Sequence, residues 1–97
     1  MPAGHEVRPR KWSNVLDIFD CGEFSAIWGN YERSSERCLG IRWNGENEDL
    51  GFPNSAGYPI WFVVPKFLAK SILHELWNSK NGHKNNIEKA IEELARF

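Results

Sequence analysis

Three runs of aromatic and β-branched residues follow one another in the middle of the chain, and no helical pattern lies between them. They are EFSAIWGNY at 23–31, RCLGIRW at 37–43 and YPIWFVVP at 58–65, and such a composition is typical of β-strands. Parallel strands need a crossover connection, usually a helix, between them. Because the chain offers none here, the sequence predicts a small antiparallel sheet of about three strands.

Two amphipathic segments follow the third run, and each predicts a helix. The first, PKFLAKSILHELWNS at 65–79, has a broad apolar stripe made of Phe67, Leu68, Ile72 and Leu76, to which Leu73 is a further candidate. The second, NNIEKAIEELARF at 85–97, has a stripe made of Ile87, Ala90, Ile91 and Leu94. We expect both stripes to lie against the sheet, because a helix in a globular protein buries its apolar side.

The run WSNVLDIF at 12–19 has its larger apolar residues, Trp12, Val15, Leu16 and Phe19, at helix spacing. This spacing predicts a short helix, and a strand is the alternative, because so short a run does not fix the period. The element order is then short helix, three strands and two helices. It predicts an α+β fold with the helices packed on one face of the sheet.

The chain is 97 residues long, which is the length of one domain. We assign residues 1–11 to a flexible N-terminal arm and residues 12–97 to a single α+β domain. The formal net charge is -1, so no overall field attracts the chain to phosphate backbones or anionic membranes. No apolar run suits a membrane span or a signal peptide, so we expect a cytoplasmic protein in which Cys21 and Cys38 are free thiols.

Alternation along 37–43 separates the two faces of the second strand. Leu39, Ile41 and Trp43 share one face, which we predict to be core. Gly40 and Arg42 share the other face with Cys38. A glycine in a strand often marks a place where an aromatic ring lies on the backbone, and we expect that ring to come from the third strand.

The third strand is apolar on both faces. Ile60, Phe62 and Val64 alternate with Trp61 and Val63. We therefore predict that this strand is central in the sheet, with Ile60 and Phe62 in the core. A three-stranded sheet leaves two free edges, so we also expect a homodimer that extends or covers the sheet.

Residues that commonly carry catalysis or bind metals are present but scattered. No serine lies in a nucleophile elbow, and His5, His74 and His83 have no partner at metal-ligand spacing. The acids between 46 and 49 lack the ligand order of a calcium-binding EF-hand. The sequence predicts no catalytic residue, no metal site and no cofactor, and it argues against an enzyme.

The connection at 44–58 is the best candidate for a functional site. It has no periodic pattern over 15 residues, whereas hairpin loops usually have about two to five. The candidate binding residues in and around it are Trp28, Arg42, Asn44, Asp49, Phe52, Tyr58 and Trp61. Such a set predicts a non-enzymatic binding module that takes a small ligand or a protein partner.

Two other interpretations of these residues remain open. In the first, Arg42 stacks on an indole and reaches a loop acid such as Asp49, which makes it a structural contact. In the second, the aromatic residues stack on single-stranded nucleic acid, helped by Arg8, Arg10 and Lys11 in the arm. The loop acids count against nucleic acid, because they repel phosphates.

The stretch CLGIRWNG…GFPNSAGYPIWFVVP, residues 38 to 65, resembles a pattern found in small bacterial proteins of unknown function, some of them carried on mobile integron gene cassettes. The pieces RWNG and GFPNSAGYPIWF carry the likeness. The resemblance implies a compact cytoplasmic protein, is compatible with an oligomer, and brings no catalytic residue with it. The N-terminal region and the last helix lie outside it.

Overall fold

A computed structural model describes residues 11–45, 49–55 and 57–96 of the chain. Its elements are, in chain order, β1 (Trp12–Asp20), β2 (Phe24–Tyr31), β3 (Arg37–Trp43), β4 (Asn54–Ser55), β5 (Tyr58–Pro59), β6 (Phe62–Val64), α1 (Lys66–Trp77) and α2 (Lys84–Leu94). An antiparallel four-stranded sheet has the order β1-β2-β3-β6, and β4 and β5 form a small separate sheet. The predicted α+β class and antiparallel sheet are confirmed, with four strands in the main sheet where the sequence predicts about three.

The prediction of a short helix at 12–19 is wrong, because this segment forms strand β1. The ladder between β1 and β2 contains two register shifts. Each shift inserts a residue and moves the alternation of side chains by one position. As a result, Leu16 and Phe19 both pack on the core, while Trp12 and Val15 both pack on the opposite side of the sheet. Residues of one face thus recur three apart, which imitates a helix.

Both helices pack on one face of the main sheet, as predicted. The buried core between the two layers consists of Ile18, Ala26, Trp28, Leu39, Val64, Ala69, Leu73, Ile87 and Ala90. α2 lies over β1, where Asn86 Nδ2 donates to Asp17 O at 2.8 Å, and α1 lies between α2 and the β6 side, against β3. Within the described ranges, neither helix is long and apolar enough to cross a membrane.

The predicted stripe of the second helix is confirmed, since all four of its apolar residues belong to the core or pack against it. In α1 the predicted stripe is confirmed in part, because Leu73 is buried and Ile72 and Leu76 pack against the core. Ala69 and Leu73 face the sheet, whereas Phe67 and Leu68 are 81% and 45% exposed. The predicted stripe spans too wide an arc to be buried as a whole, and the small Ala69 lets the helix approach the sheet along its own side.

The strand predicted to be central is instead a short edge strand. Only Phe62–Val64 pairs with β3, and Pro59 belongs to the small β4-β5 sheet. Trp43, Ile60 and Phe62 are all exposed rather than in the core. The prediction failed because alternation assigns a residue to a face but does not show how far the helices extend over that face.

An aromatic ring does lie on Gly40, but it comes from β1 rather than from the third strand. A Cβ on Gly40 would lie 2.8 Å from Trp12 Cη2. Trp61 packs nearby against Ile27, on the same side of the sheet. We call this side, which faces away from the helices and carries Ile27, Gly40, Arg42 and Trp61, the loop face.

Candidate functional site

Arg42 is a buried cation on the loop face. Only 1% of the residue is exposed. Its Nη1 donates to Ile60 O at 2.9 Å, and its Nη2 donates to Leu50 O. The guanidinium carbon lies 5.9 Å from the centre of the Trp61 ring. Arg42 therefore fastens two distant points of the 44–60 segment to the sheet.

Backbone carbonyls take the place of a counter-ion for Arg42. Among the described residues, no carboxylate lies within ion-pair distance of the guanidinium. Burial lowers the pKa of Arg42, but a guanidinium stays protonated at any physiological pH. The geometry matches the structural interpretation in which Arg42 stacks on an indole, except that the carbonyls of Leu50 and Ile60 accept its protons instead of Asp49.

Asn44 is the centre of a buried polar network at the end of β3. Its Oδ1 accepts from Ser25 Oγ at 2.8 Å, and its Nδ2 donates to Gly22 O at 3.0 Å. The same amide donates to Asp20 Oδ1 at 3.3 Å. Asn44 thereby ties the end of β3 to the turn between β1 and β2, and it has no exposed surface left for a ligand.

The loop folds back on β3, so that Phe52 pairs with Trp43 at the end of this strand. Trp43 N donates to Phe52 O at 2.7 Å, and Phe52 N donates to Trp43 O at 3.0 Å. Gly51 permits this return, because it has a φ of +78° and a Cβ there would lie 2.6 Å from Asn44 C. Asp49 Oδ1 accepts from Gly51 N at 3.0 Å, so Asp49 stabilises the turn from an exposed position.

Trp28 lies on the opposite side of the sheet from Arg42 and does not join it in one site. It is fully buried under the helices, and its Nε1 donates to Glu93 Oε1 at 2.9 Å. Glu93 also accepts from Arg37 Nη2 at 2.7 Å. Partial burial opposes ionisation, but the hydrogen bonds from Arg37 and Trp28 prevail and lower the pKa of Glu93.

Of the seven predicted site residues, the structure brings three together in a closed cluster on the loop face. These are Arg42, Asn44 and Trp61, and each is at most 5% exposed. Phe52 and Tyr58 point into solvent, with 66% and 57% of their surfaces exposed. The predicted set is therefore divided among a closed cluster on the loop face, the core under the helices, which holds Trp28, and the protein surface.

A second cluster lies exposed on the face of the sheet that carries α1 and α2, outside the area that the helices cover. Phe24 and Trp43 are partners in the β2-β3 ladder, with ring centres 4.9 Å apart in an edge-to-face arrangement. Trp43 is in turn the partner of Phe52, and Phe62 is the partner of Ile41 in the next row. Partners across a ladder share a face. We call Phe24, Trp43, Phe52 and Phe62 the aromatic patch.

Sequence reasoning placed Trp43 and Phe62 in the core and did not group Phe24 with them. A signal was present in the turn residues Asn44 and Gly45, which end β3 directly after Trp43. Helices that pack across a sheet cover its middle more readily than its corners. A large aromatic residue beside a turn is therefore less often buried than one in the middle of a strand.

A cleft of about 260 Å³ adjoins Trp61 on the side of β1. Its polar lining consists of Asp17, Asp20, Ser25 and His83. The Nε1 of Trp61 is buried and has no hydrogen-bond partner in the described chain. The cleft thus combines an aromatic wall with carboxylates, which is a combination that suits a small polar ligand.

Two cysteine thiols lie within the described residues. Cys21 and Cys38 are free thiols, and burial raises the pKa of Cys38, which keeps it protonated and weakly nucleophilic. In the same part of the chain, no group of three or more His, Cys, Asp or Glu side chains is placed to hold a metal ion.

The fold and its surfaces define an α+β protein with a closed arginine-centred cluster on one side of the sheet and an open aromatic patch on the other. Comparisons with protein-family models, with curated proteins and with solved structures give no significant match. The resemblance of residues 38–65 to proteins of integron gene cassettes therefore stays a prediction.

Proposed function

We propose that the protein is a non-enzymatic cytoplasmic interaction module that docks a protein partner on the aromatic patch. The observation that carries the proposal is that Trp43, Phe52 and Phe62, which share one face of the sheet, are 56%, 66% and 53% exposed. Scattered single apolar residues are normal on a protein surface, but a contiguous aromatic cluster is typical of an interaction site.

Covering the patch makes a large favourable contribution to the free energy of binding. A buried aromatic side chain removes about 150–250 Å² from water, so covering the exposed halves of these three rings removes on the order of 300 Å². At about 25 cal/mol per Å², this corresponds to roughly 8 kcal/mol before the entropic cost of association is subtracted. The patch is therefore large enough to be the energetic centre of an interface.

Arg42 and the loop contribute to the proposed function by holding the patch in place. The bond from Arg42 to Leu50 O anchors the segment just before Phe52, and the paired bonds with Trp43 fix Phe52 itself. The loss of backbone freedom on binding is then smaller, because the segment that carries Phe52 is already ordered. In this proposal the closed cluster has a supporting role and the open patch makes the contact.

The test compares capture of partner proteins from an extract of the source cells by the parent protein and by Trp43→Ser and Phe52→Ser. Phe67→Ser is the matched control, because Phe67 is 81% exposed and follows Lys66, which pairs with Glu36 at the far end of β3. We expect both patch variants to lose the captured protein and the control to retain it. Equal capture by all variants contradicts the proposal.

A small ligand in the cleft beside Trp61 is the second candidate function. It is favoured by the Nε1 of the buried Trp61, which has no hydrogen-bond partner among the described residues, and by the carboxylates of Asp17 and Asp20 in the lining. A thermal-shift screen of metabolites tests it, with Asp17→Asn as the variant. A metabolite that raises the melting temperature of the parent, but not of Asp17→Asn, supports this function, and a screen without any shift removes its support.

Single-stranded nucleic acid stays the alternative occupant of the aromatic patch. Exposed rings such as Trp43 and Phe52 can stack on bases, and this observation favours it. Against it, the exposed Asp49 adjoins the patch and repels phosphates. Gel retardation of oligonucleotides at low salt, weakening as salt rises, is the expected behaviour of a nucleic-acid binder. No retardation at low salt ends this alternative.

A further inference from the structure

The aromatic patch is bordered on one side by α1. Leu68, Ile72 and Glu75 lie three and four residues apart and so share one side of this helix. Trp77 marks the other side, because the amine of Lys84 on α2 lies 4.4 Å from the centre of its ring. Since α2 lies toward β1, the side with Leu68 and Ile72 is turned toward β6 and the patch.

The aromatic patch is about as wide as a single helix. Phe24, Trp43 and Phe52 occupy three adjacent positions across the sheet. Two strand spacings of about 4.8 Å make this row roughly 10 Å wide, and an α-helix with its side chains is about 10–12 Å across. A helix placed there would lie beside α1 on the face where α1 and α2 already lie.

An extended strand is a poorer match for this surface. Strand addition requires a free sheet edge with several backbone groups, and β6 consists only of Phe62–Val64. Added at that edge, a strand would also leave Trp43 and Phe52 exposed. A helix covers the rings themselves, in the manner of a helix docked in an apolar groove.

The charges that border the patch are negative. Asp49 lies in the turn beside Trp43, Glu75 lies on the side of α1 that is turned toward the patch, and both acids are exposed. Arg42 does not offset them on this face, because its guanidinium is buried on the loop face. A partner with basic residues at its edges is complementary to such a rim.

We propose that the partner segment is an amphipathic helix of another protein, apolar on one side and flanked by Lys or Arg, which lies beside α1 over the aromatic patch. This inference rests on the proposed docking function and specifies the occupant. An acidic rim disfavours a second copy of the chain on the same surface, because a two-fold contact would bring like charges together. The partner is thus expected to be basic and helical.

The test uses three synthetic peptides of about 18 residues, long enough to form a helix. One has leucine on one side and lysine on the other, the second replaces lysine by glutamate, and the third is the lysine peptide with two central prolines that prevent a helix. Fluorescence anisotropy measures their binding to the intact protein. We expect the lysine helix to bind at least about tenfold more tightly than either of the other two.

Variants then locate the binding. We expect Phe52→Ser and Trp43→Ser to weaken the binding of the lysine peptide by about tenfold or more, as for central residues of an interface. Phe67→Ser should leave this affinity unchanged. Glu75→Lys should weaken it by a few fold in a salt-dependent manner. The matched charge control is Glu92→Lys, because Glu92 is exposed on α2, and it should have no effect.

Equal binding of all three peptides, or binding that survives Phe52→Ser, overturns the inference. If the patch variants lose a captured cellular protein but the lysine helix does not bind, the docking function stands and the basic helix is wrong. If sedimentation shows self-association that Phe52→Ser abolishes, the occupant is a second copy of the chain, as in the predicted homodimer. If the patch variants retain the captured protein, the proposed function itself fails.

Discussion

The loop face and the aromatic patch contain similar side chains but have opposite environments. On the loop face, Arg42 and Trp61 are buried, and Nη1 and Nη2 of Arg42 each donate to a backbone carbonyl. In the patch, Trp43 and Phe52 are more than half exposed, although they are tied to each other by two backbone hydrogen bonds. The difference shows that an arginine among aromatic residues can serve to close a surface, while the residues available for binding lie elsewhere.

The comparison predicts that changes on the loop face lower the free energy of unfolding, while changes in the patch leave it nearly unaltered. The largest effect is expected at Gly51. A Cβ there would collide with Trp43 O and Arg42 Nη2 at a positive φ, so Gly51→Ala should destabilise by roughly 3 kcal/mol or more. Gly57 also has a positive φ but open space around it, so Gly57→Ala should cost only about 1 kcal/mol. Urea denaturation of the pair measures both values, and similar losses would contradict the proposed packing at Gly51.

The next effect concerns the guanidinium of Arg42. Arg42→Met keeps much of the side-chain volume but leaves Leu50 O and Ile60 O without their donor. We expect a loss of about 2–3 kcal/mol in the free energy of unfolding. The exposed Arg33 provides the control, since Arg33→Met should change stability by less than about 0.5 kcal/mol. Unchanged stability of Arg42→Met would show that Arg42 does not fasten the loop.

A third prediction concerns the position of Trp28 under the helices rather than beside Arg42. Glu93→Gln removes the negative charge of the carboxylate that accepts hydrogen bonds from Trp28 and Arg37. We expect the free energy of unfolding to fall by about 2 kcal/mol near neutral pH. The folded protein lowers the pKa of Glu93, so its ionised form stabilises the fold above the ordinary glutamate pKa. This contribution is lost as the pH falls through the lowered pKa.

The difference in stability between the parent and Glu93→Gln should therefore shrink in acid. Thermal unfolding at several pH values from neutral to strongly acidic measures this difference. A constant difference over the whole range would mean that the ionisation of Glu93 does not contribute to stability.

The smallest effect on stability is expected in the patch. Trp43→Ser and Phe52→Ser remove exposed rings, so their loss of buried apolar surface is small. We expect each to change the free energy of unfolding by less than about 1 kcal/mol, while each abolishes capture of the partner. A loss of several kcal/mol in either variant, measured by urea denaturation, would indicate that the ring belongs to the core.

Local patterns in the sequence predicted the elements well where one period ran without interruption. The apolar residues of α2 lie on its buried side as predicted, and the alternation along β3 assigned Leu39 and Arg42 to the correct opposite faces. β1 was predicted as a helix because its register shifts alter the period, and such shifts depend on pairing with β2. The sequence of one segment does not contain that information.

The candidate site was predicted less well, because burial depends on the arrangement of whole elements. Trp43 alternates with buried residues but lies beyond the reach of α1, and no local pattern shows where a neighbouring helix stops. For Arg42, the predicted stacking on an indole agrees with the structure. Its carbonyl partners could not be predicted, since they depend on the path of the loop through the positive φ of Gly51.

Hydroxyl-radical labelling of the intact protein at high dilution, read out by mass spectrometry, tests the central claim most directly. It measures the oxidation rate of each aromatic residue without any substitution. We expect Trp43 and Phe52 to react much faster than Trp28 and Trp61, and the partner or the basic helix to slow only the first two. Equal rates for Trp43 and Trp61, or slow oxidation of Trp43 in the free protein, would contradict the division into a closed loop face and an open aromatic patch.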